Sequence, residues 1–232
     1  MEFRSWGKTP RLFRDIVITE KIDGTNSAII IEQIFPNDVA TNHFAEVGID
    51  GAFYAVGAQS KNRLIFPGKT TDNYGFAAFV EANVVELVRL LGVGHHFGEW
   101  WGEGIQKRYS GGSSDVTSKR REFALFDTAK HAGGVKGDLY TLPTFGQFED
   151  EAGRSVTVKS VPVLYEGDFS EQAIRDALDD LNRFGSVAAP FHPNPEGIVI
   201  YHAQSKQVYK VTRDNNDKGK WETLDGSVPT QD

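Results

Sequence analysis

The chain has 232 residues, 39% of them hydrophobic and 12% aromatic, which suits one sizeable domain. It contains no cysteine, which excludes a disulfide framework, a thiolate metal site and a cysteine nucleophile. Lysine and arginine number 25 against 32 aspartates and glutamates, and the formal net charge of −7 argues against a protein that coats nucleic acid by bulk charge, while leaving room for a local basic groove.

The opening stretch, MEFRSWGKTPRLFRDI, has no apolar core of signal-peptide length, and no window approaches the roughly 18 apolar residues of a membrane span. A cytoplasmic, intracellular setting with no membrane partner is expected, the host cytoplasm if the chain is phage-encoded. DIVIT (15–19) and SAIIIEQ (27–33) are β-branched runs bracketing Gly24 and read as two strands joined by a turn, with Lys21 at a strand end. PNDVATNHFAEVGIDG reads as a loop, and AFYAVGAQS (52–60) as a strand. From Phe76 the apolar residues Val80, Val84, Leu87, Val88 and Leu91 recur at helical steps, and Gly92 stands where a helix would end.

HHFGEWWGEG (95–104) and REFALFDT (121–128) read as strands around a polar stretch. Ser170 caps a second helix running to Gly185, with Ile174, Leu178 and Leu181 on one face. EGIVIYH (196–202) and KQVYKVT (206–212) form a hairpin around AQS. The expected fold class is α+β, mostly antiparallel sheet with flanking helices.

A lysine acts as a nucleophile only when neutral, and an ordinary lysine pKa of about 10.4 leaves roughly one in a few thousand neutral at pH 7. Burial or a second cation must tune it. Lys21 is followed by DGTN, turn chemistry that would let phosphates approach the backbone, although a lone lysine at a strand end is ordinarily a solvated residue. What singles it out is company in a fixed order. EKIDGTN (20–26), SKNR (60–63), FGEWWGEGIQK (97–107), FALFDT (123–128), PEGIVI (195–200) and YKVT (209–212) succeed one another down the chain.

That order resembles the nucleotidyltransferase motifs of the covalent polynucleotide ligases and capping enzymes, and FGEWWGEGIQK places the resemblance in the RNA ligase 2 and editing-ligase branch. It covers about residues 15 to 213. It implies an ATP-grasp-like nucleotidyltransferase (adenylylation) domain over residues 1–213 and a polar tail at 214–232. With no room for an appended OB or helical domain, a partner protein or a missing C-terminal domain is expected to grip the substrate.

The resemblance implies that Lys21 attacks the α-phosphate of ATP, that the AMP passes to a 5′-phosphate, and that a 3′-hydroxyl then seals an RNA strand at a break in duplex or structured RNA. A DNA ligase of the same superfamily, a capping-type guanylyltransferase, and a catalytically impaired relative that only binds nucleotide or RNA are the alternatives. Glu99 matches the acid that holds the ribose and Phe126 the aromatic that stacks on adenine. Glu20 and Asn26 belong to the nucleotide site. Glu196 matches the acid near the lysine and the metal, where Mg2+ (or Mn2+) keeps several waters and is contacted through one of them.

Lys210 would neutralise phosphate charge and disfavour a proton on Lys21. The family commonly has Lys-x-Lys there, whereas this chain reads Lys210-Val211-Thr212, with Arg213, Lys218 and Lys220 as substitutes for the missing charge. Lys61 and Arg63, two apart and on one face if the strand continues, stand where the family places an arginine for the nucleotide and the strand ends. Gln106 and Lys107 are assigned to nucleic acid. His95 and His96, pointing to opposite faces of a strand, read as structural, and Trp100 and Trp101 as core.

Overall fold

The computed structural model describes residues 2–35, 41–105, 120–130, 144–190 and 192–213. Two sheets carry the fold. The smaller contains β1 (Asp15–Lys21), β10 (Val163–Asp168), β11 (Gly197–His202) and β12 (Gln207–Thr212), ordered β10-β1-β11-β12. The larger contains β2 (Thr25–Ile34), β3 (Ala45–Ile49), β4 (Ala52–Ser60), β6 (Gly94–Gly102), β7 (Arg121–Leu125), β8 (Thr144–Glu149) and β9 (Ser155–Ser160), with the short β5 (Leu64–Ile65) paired to β4. Among the described pairs only β7 with β9 is parallel.

β1 and β2 are therefore not partners, although only Ile22 to Gly24 separate them. β1 ends in one sheet and β2 begins in the other. Burial alternates along β1, where Ile16 and Ile18 are fully covered by a cluster that includes Ile198, Ile200 and two residues of α3 (Glu171–Phe184), Ala177 and Leu181. The other face of the sheet is left for the cleft. The larger sheet buries Ile29, Ile31, Val56, Trp100 and Phe123 against α1 (Phe76–Ala82) and α2 (Val84–Leu91). Phe79 stacks on Trp100 with ring centroids 5.3 Å apart.

The stretch from Phe76 to Leu91 is two helices rather than the single one its periodicity suggests. Asn83 leaves helical geometry at φ −125°, ψ 27°, and its side-chain amide donates to the carbonyls of Phe79 and Glu149 at 2.9 and 3.0 Å. An amide that bonds the backbone competes with the helix ladder, and apolar spacing does not register that competition. The Ser170 cap is as read, its hydroxyl accepting from Ala173 N at 3.2 Å. β3 lies inside the stretch read as loop, and β8 and β10 carry no clean alternation in TFGQFE and VLYEGD.

Candidate active site

Lys21 closes β1, opposite Gly197 of β11. The next residue, Ile22, is buried with Trp101, Ala124, Val161 and Ala188, a small cluster that ties the end of β1 to the larger sheet. At Gly24 the chain runs against β6, and a Cβ there would lie 2.5 Å from the Trp100 carbonyl oxygen and 2.7 Å from the Trp101 Cβ. Only glycine fits that approach. Thr25 then enters β2 beside β6, setting Asn26 opposite Glu99.

Lys21 Nζ lies 2.7 Å from a Glu196 carboxylate oxygen, with the two side chains 25% and 20% exposed. Glu196 immediately precedes β11, and its carbonyl accepts from Arg213 N at 3.0 Å. On the opposite wall Glu99 accepts from Gly24 N at 3.2 Å. Burial pushes the Glu99 carboxyl up to about 7, against the lowering effects of the Lys21 ammonium and the Gly24 amide, while the Glu196 and Asp23 carboxylates raise it further.

A cleft of about 870 Å³ opens between the sheets, lined by Lys21, Asn26, Lys61, Glu99, Phe126 and Lys210. Val17 and Thr19 of β1, Val199 and Tyr201 of β11, and Val208 of β12 supply the wall from the smaller sheet. These residues alternate with those that pack on α3, so one sheet feeds a core on one face and the cleft on the other. Phe126 is 40% exposed, whereas Phe123 is fully buried. The arrangement offers an amine, an apolar and aromatic wall, and the raised Glu99 carboxyl around one volume.

Residues 14–212 match the family model for RNA ligase. The chain belongs to the RNA ligase family. Solved structures similar to it include a Naegleria gruberi RNA ligase variant in its apo form, at 16% identity over 87% of this chain and 50% of that one, with a TM-score of 0.46. Another variant of that ligase, solved with AMP and Mn, is similar at 16% identity over 88% and 51% of the two chains, with a TM-score of 0.44. A third, with ATP and Mn, matches at 14% identity over 87% and 50%, with a TM-score of 0.43. The chain spans about half the length of these structures. Among curated proteins none matches.

Several residues of this RNA ligase-family chain stand elsewhere than the motif order alone suggests. Arg63 does not share a strand face with Lys61, because β4 ends at Ser60 and the chain turns, with Ser60 N donating to the Arg63 carbonyl at 2.8 Å. Its guanidinium donates to the carbonyls of Thr71 and Asp72 at 3.0 and 3.4 Å, and it does not line the cleft. Glu20 reaches the cleft but is 1% exposed, its carboxylate accepting from Ser186 Oγ at 2.5 Å, Val187 N at 2.9 Å and Ala188 N at 2.8 Å. The Arg213 guanidinium donates to the Pro195 carbonyl at 3.3 Å rather than lining the cleft. Gln106, Lys107, Lys218 and Lys220 lie outside the described residues.

His96 is buried with Nε2 2.8 Å from the Gly92 carbonyl, as a structural histidine would be. Both His95 and His96 also line the cleft, beside Phe97. The signal for His95 and Phe97 was present, since they stand at steps of two from Glu99 and so on its face of β6. Tyr201 and Lys130 also line the cleft, and neither falls in a stretch that the motif order covers. Trp100 and Trp101 are core residues, and Lys159 Nζ sits 5.6 Å over the Trp101 ring. Among the described residues no group of three or more His, Asp or Glu could hold a metal ion by itself. No helix among them is long and apolar enough to cross a membrane.

Proposed function

We propose that residues 1–213 form an ATP-grasp-like nucleotidyltransferase domain that adenylylates itself on Lys21 and passes the AMP to RNA. The observation that carries this reading is convergence: Lys21, Glu99, Phe126 and Lys210, spread over almost the whole chain, line one cleft, with Glu196 in contact with the lysine.

In the first step the neutral Lys21 amine attacks the α-phosphorus of ATP. An N–P bond forms, the bond from that phosphorus to the bridging oxygen breaks, and pyrophosphate leaves with the electron pair. Glu196, 2.7 Å from Nζ, is the carboxylate within reach of the departing proton. Lys210 faces the same cleft and neutralises phosphate charge, and Phe126 presents a ring face to the base. Glu99 and Asn26, cross-strand neighbours, hold the sugar. Glu196 is the carboxylate that would face a divalent cation, which would supply further charge neutralisation on the phosphates.

The AMP then transfers to the 5′-phosphate oxygen of an RNA end, freeing the lysine. A 3′-hydroxyl attacks the activated phosphorus and expels AMP, sealing a break held in duplex or structured RNA. Lys61, on the cleft wall, contacts the nucleotide phosphates and the strand ends. Preference for RNA rests on A-form geometry and the 2′-hydroxyl beside the break.

Intact-protein mass after incubation with ATP and magnesium, beside GTP and Lys21→Ala, tests the reading. A gain of one AMP, dependent on ATP and on Lys21, supports it. A gain from GTP would make the chain a capping-type enzyme. With no adduct, after any AMP carried from expression is excluded, the chain would be a nucleotide- or RNA-binding relative, and Thr212, opposite Gly197 on β12, would be the first position to change.

A further inference from the structure

Before β1 the chain runs for thirteen residues, 2–14, that belong to no strand or helix, and every one of them is exposed. Phe3 is 92% exposed and Trp6 94%, the two most exposed large apolar side chains described. Isolated exposed aromatics need no explanation, but these are interleaved with Arg4, Lys8, Arg11 and Arg14, with Glu2 the one carboxylate in the segment. Four cations against one acid stand out in a chain whose net charge is −7.

The root of this segment is fixed. Arg11 N donates to Gln204 Oε1 at 2.6 Å, His202 Nε2 donates to the Leu12 carbonyl at 2.9 Å, and Phe169 N donates to the Arg14 carbonyl at 3.0 Å. Phe13 packs edge-on against Phe169, with centroids 5.8 Å apart. These contacts hold the root where β11 turns into β12, at the opposite end of β1 from Lys21. The length of β1 sets a separation of about 20 Å between root and lysine, and the residues beyond the root, fully extended, reach about 30 Å. The arm can therefore follow a polymer that continues past the cleft.

We propose that residues 2–14 form an arm that grips an RNA strand flanking the break, Phe3 and Trp6 stacking on unpaired bases while Arg4 and Lys8 contact phosphates. The assignment rests on the RNA ligase reading above. Alternating cations and aromatic rings is the chemistry that single strands demand, a π-face for each base and a charge for each phosphate. A membrane surface would call instead for an amphipathic helix, which Gly7 and Pro10 oppose.

Fluorescence anisotropy of a fluorescein-labelled oligouridylate, titrated with the full chain over a range of salt concentrations, tests the arm. Replacing both rings (Phe3→Ala with Trp6→Ala) weakens binding about tenfold or more. Replacing the two cations (Arg4→Gln with Lys8→Gln) lowers the slope of log affinity against log salt by about 1.4, near 0.7 for each phosphate that the arm no longer neutralises on a single strand. Unaltered affinity in the ring variant, or an unaltered slope in the charge variant, would overturn the proposal. So would a sedimentation result in which the arm variants lose a dimer while keeping their RNA affinity, since the occupant would then be a second copy of the chain. ATP adduct formation by the unaltered chain is scored separately: its absence would count against the ligase reading, and arm-dependent RNA binding would still support the arm.

Discussion

Lys21 and Glu196 meet at 2.7 Å where the pairing of β1 with β11 ends, the lysine being the last residue of one strand and the glutamate the residue before the other. Gly197, between the glutamate and the rest of β11, has φ +154° and no space for a Cβ against the Val211 carbonyl, so the approach of β12 depends on glycine there. The ion pair is part exposed, and its contribution to stability is correspondingly small.

Glu196→Gln should accordingly leave the melting temperature almost unchanged while slowing adduct formation about a hundredfold or more, the scale of a lost proton acceptor. A time course of intact mass with ATP measures the rate. A variant that forms the adduct at the parental rate would show that Glu196 takes no proton.

Glu99 imposes a pH dependence on stability whose sign follows from its raised pKa. Between its ordinary value of 4.5 and about 7 the folded chain holds a proton that the unfolded chain has released, so stability falls as pH rises through that window. The change amounts to at most about 3 kcal/mol. Glu99→Gln removes this component, and urea unfolding at the two ends of the window compares the slopes. An identical slope in the variant would show that Glu99 does not titrate there.

Glu20→Ala leaves the Ser186 hydroxyl and the Val187 and Ala188 amides without their charged acceptor. Hydrogen bonds to a charged group are worth about 1.5–3 kcal/mol each, and loss of the three should cost at least about 3 kcal/mol. Denaturant midpoints measure the loss, and a shift below about 1 kcal/mol would mean that water replaces the carboxylate.

Phe126 and Phe123, three residues apart, should fail in opposite ways. Phe126→Ala raises the Kd for ATP about tenfold at little cost in stability, because stacking on a base is worth about 1–3 kcal/mol and the ring is already part exposed. Phe123→Ala empties a fully buried site 4.9 Å from the Phe76 ring, centroid to centroid, and costs about 3–5 kcal/mol. Calorimetry with ATP and thermal unfolding distinguish the two.

Gly24→Ala should destabilise the chain by about 1–3 kcal/mol, since the added carbon meets backbone oxygen and a tryptophan Cβ rather than a movable side-chain tip. Thermal unfolding measures it. Because Gly24 N also donates to Glu99, the variant should perturb the titration described above.

Much of the fold is legible where local pattern and final structure obey the same period. β4 spans 52–60 as read, α3 starts after its serine cap, and the β11–β12 hairpin pairs in register. The failures share a different cause. β3, β8 and β10 carry weak patterns and hold their places through neighbouring strands, and Asn83 splits a helix through a contact with Glu149, sixty-six positions away. In the cleft, the placement of Phe97 and His95 was readable from their spacing to Glu99, whereas the diversion of Arg63 depended on a turn after Ser60.

Residue type and spacing are local properties of the chain, and they are enough to give the order of the motifs and the family they resemble. The parting of β1 and β2 into different sheets at Lys21 belongs to the folded molecule alone. That separation depends on burying Ile22 against Trp101 and Ala188 and on Gly24 passing β6 without a side chain, contacts between distant segments that no local pattern encodes.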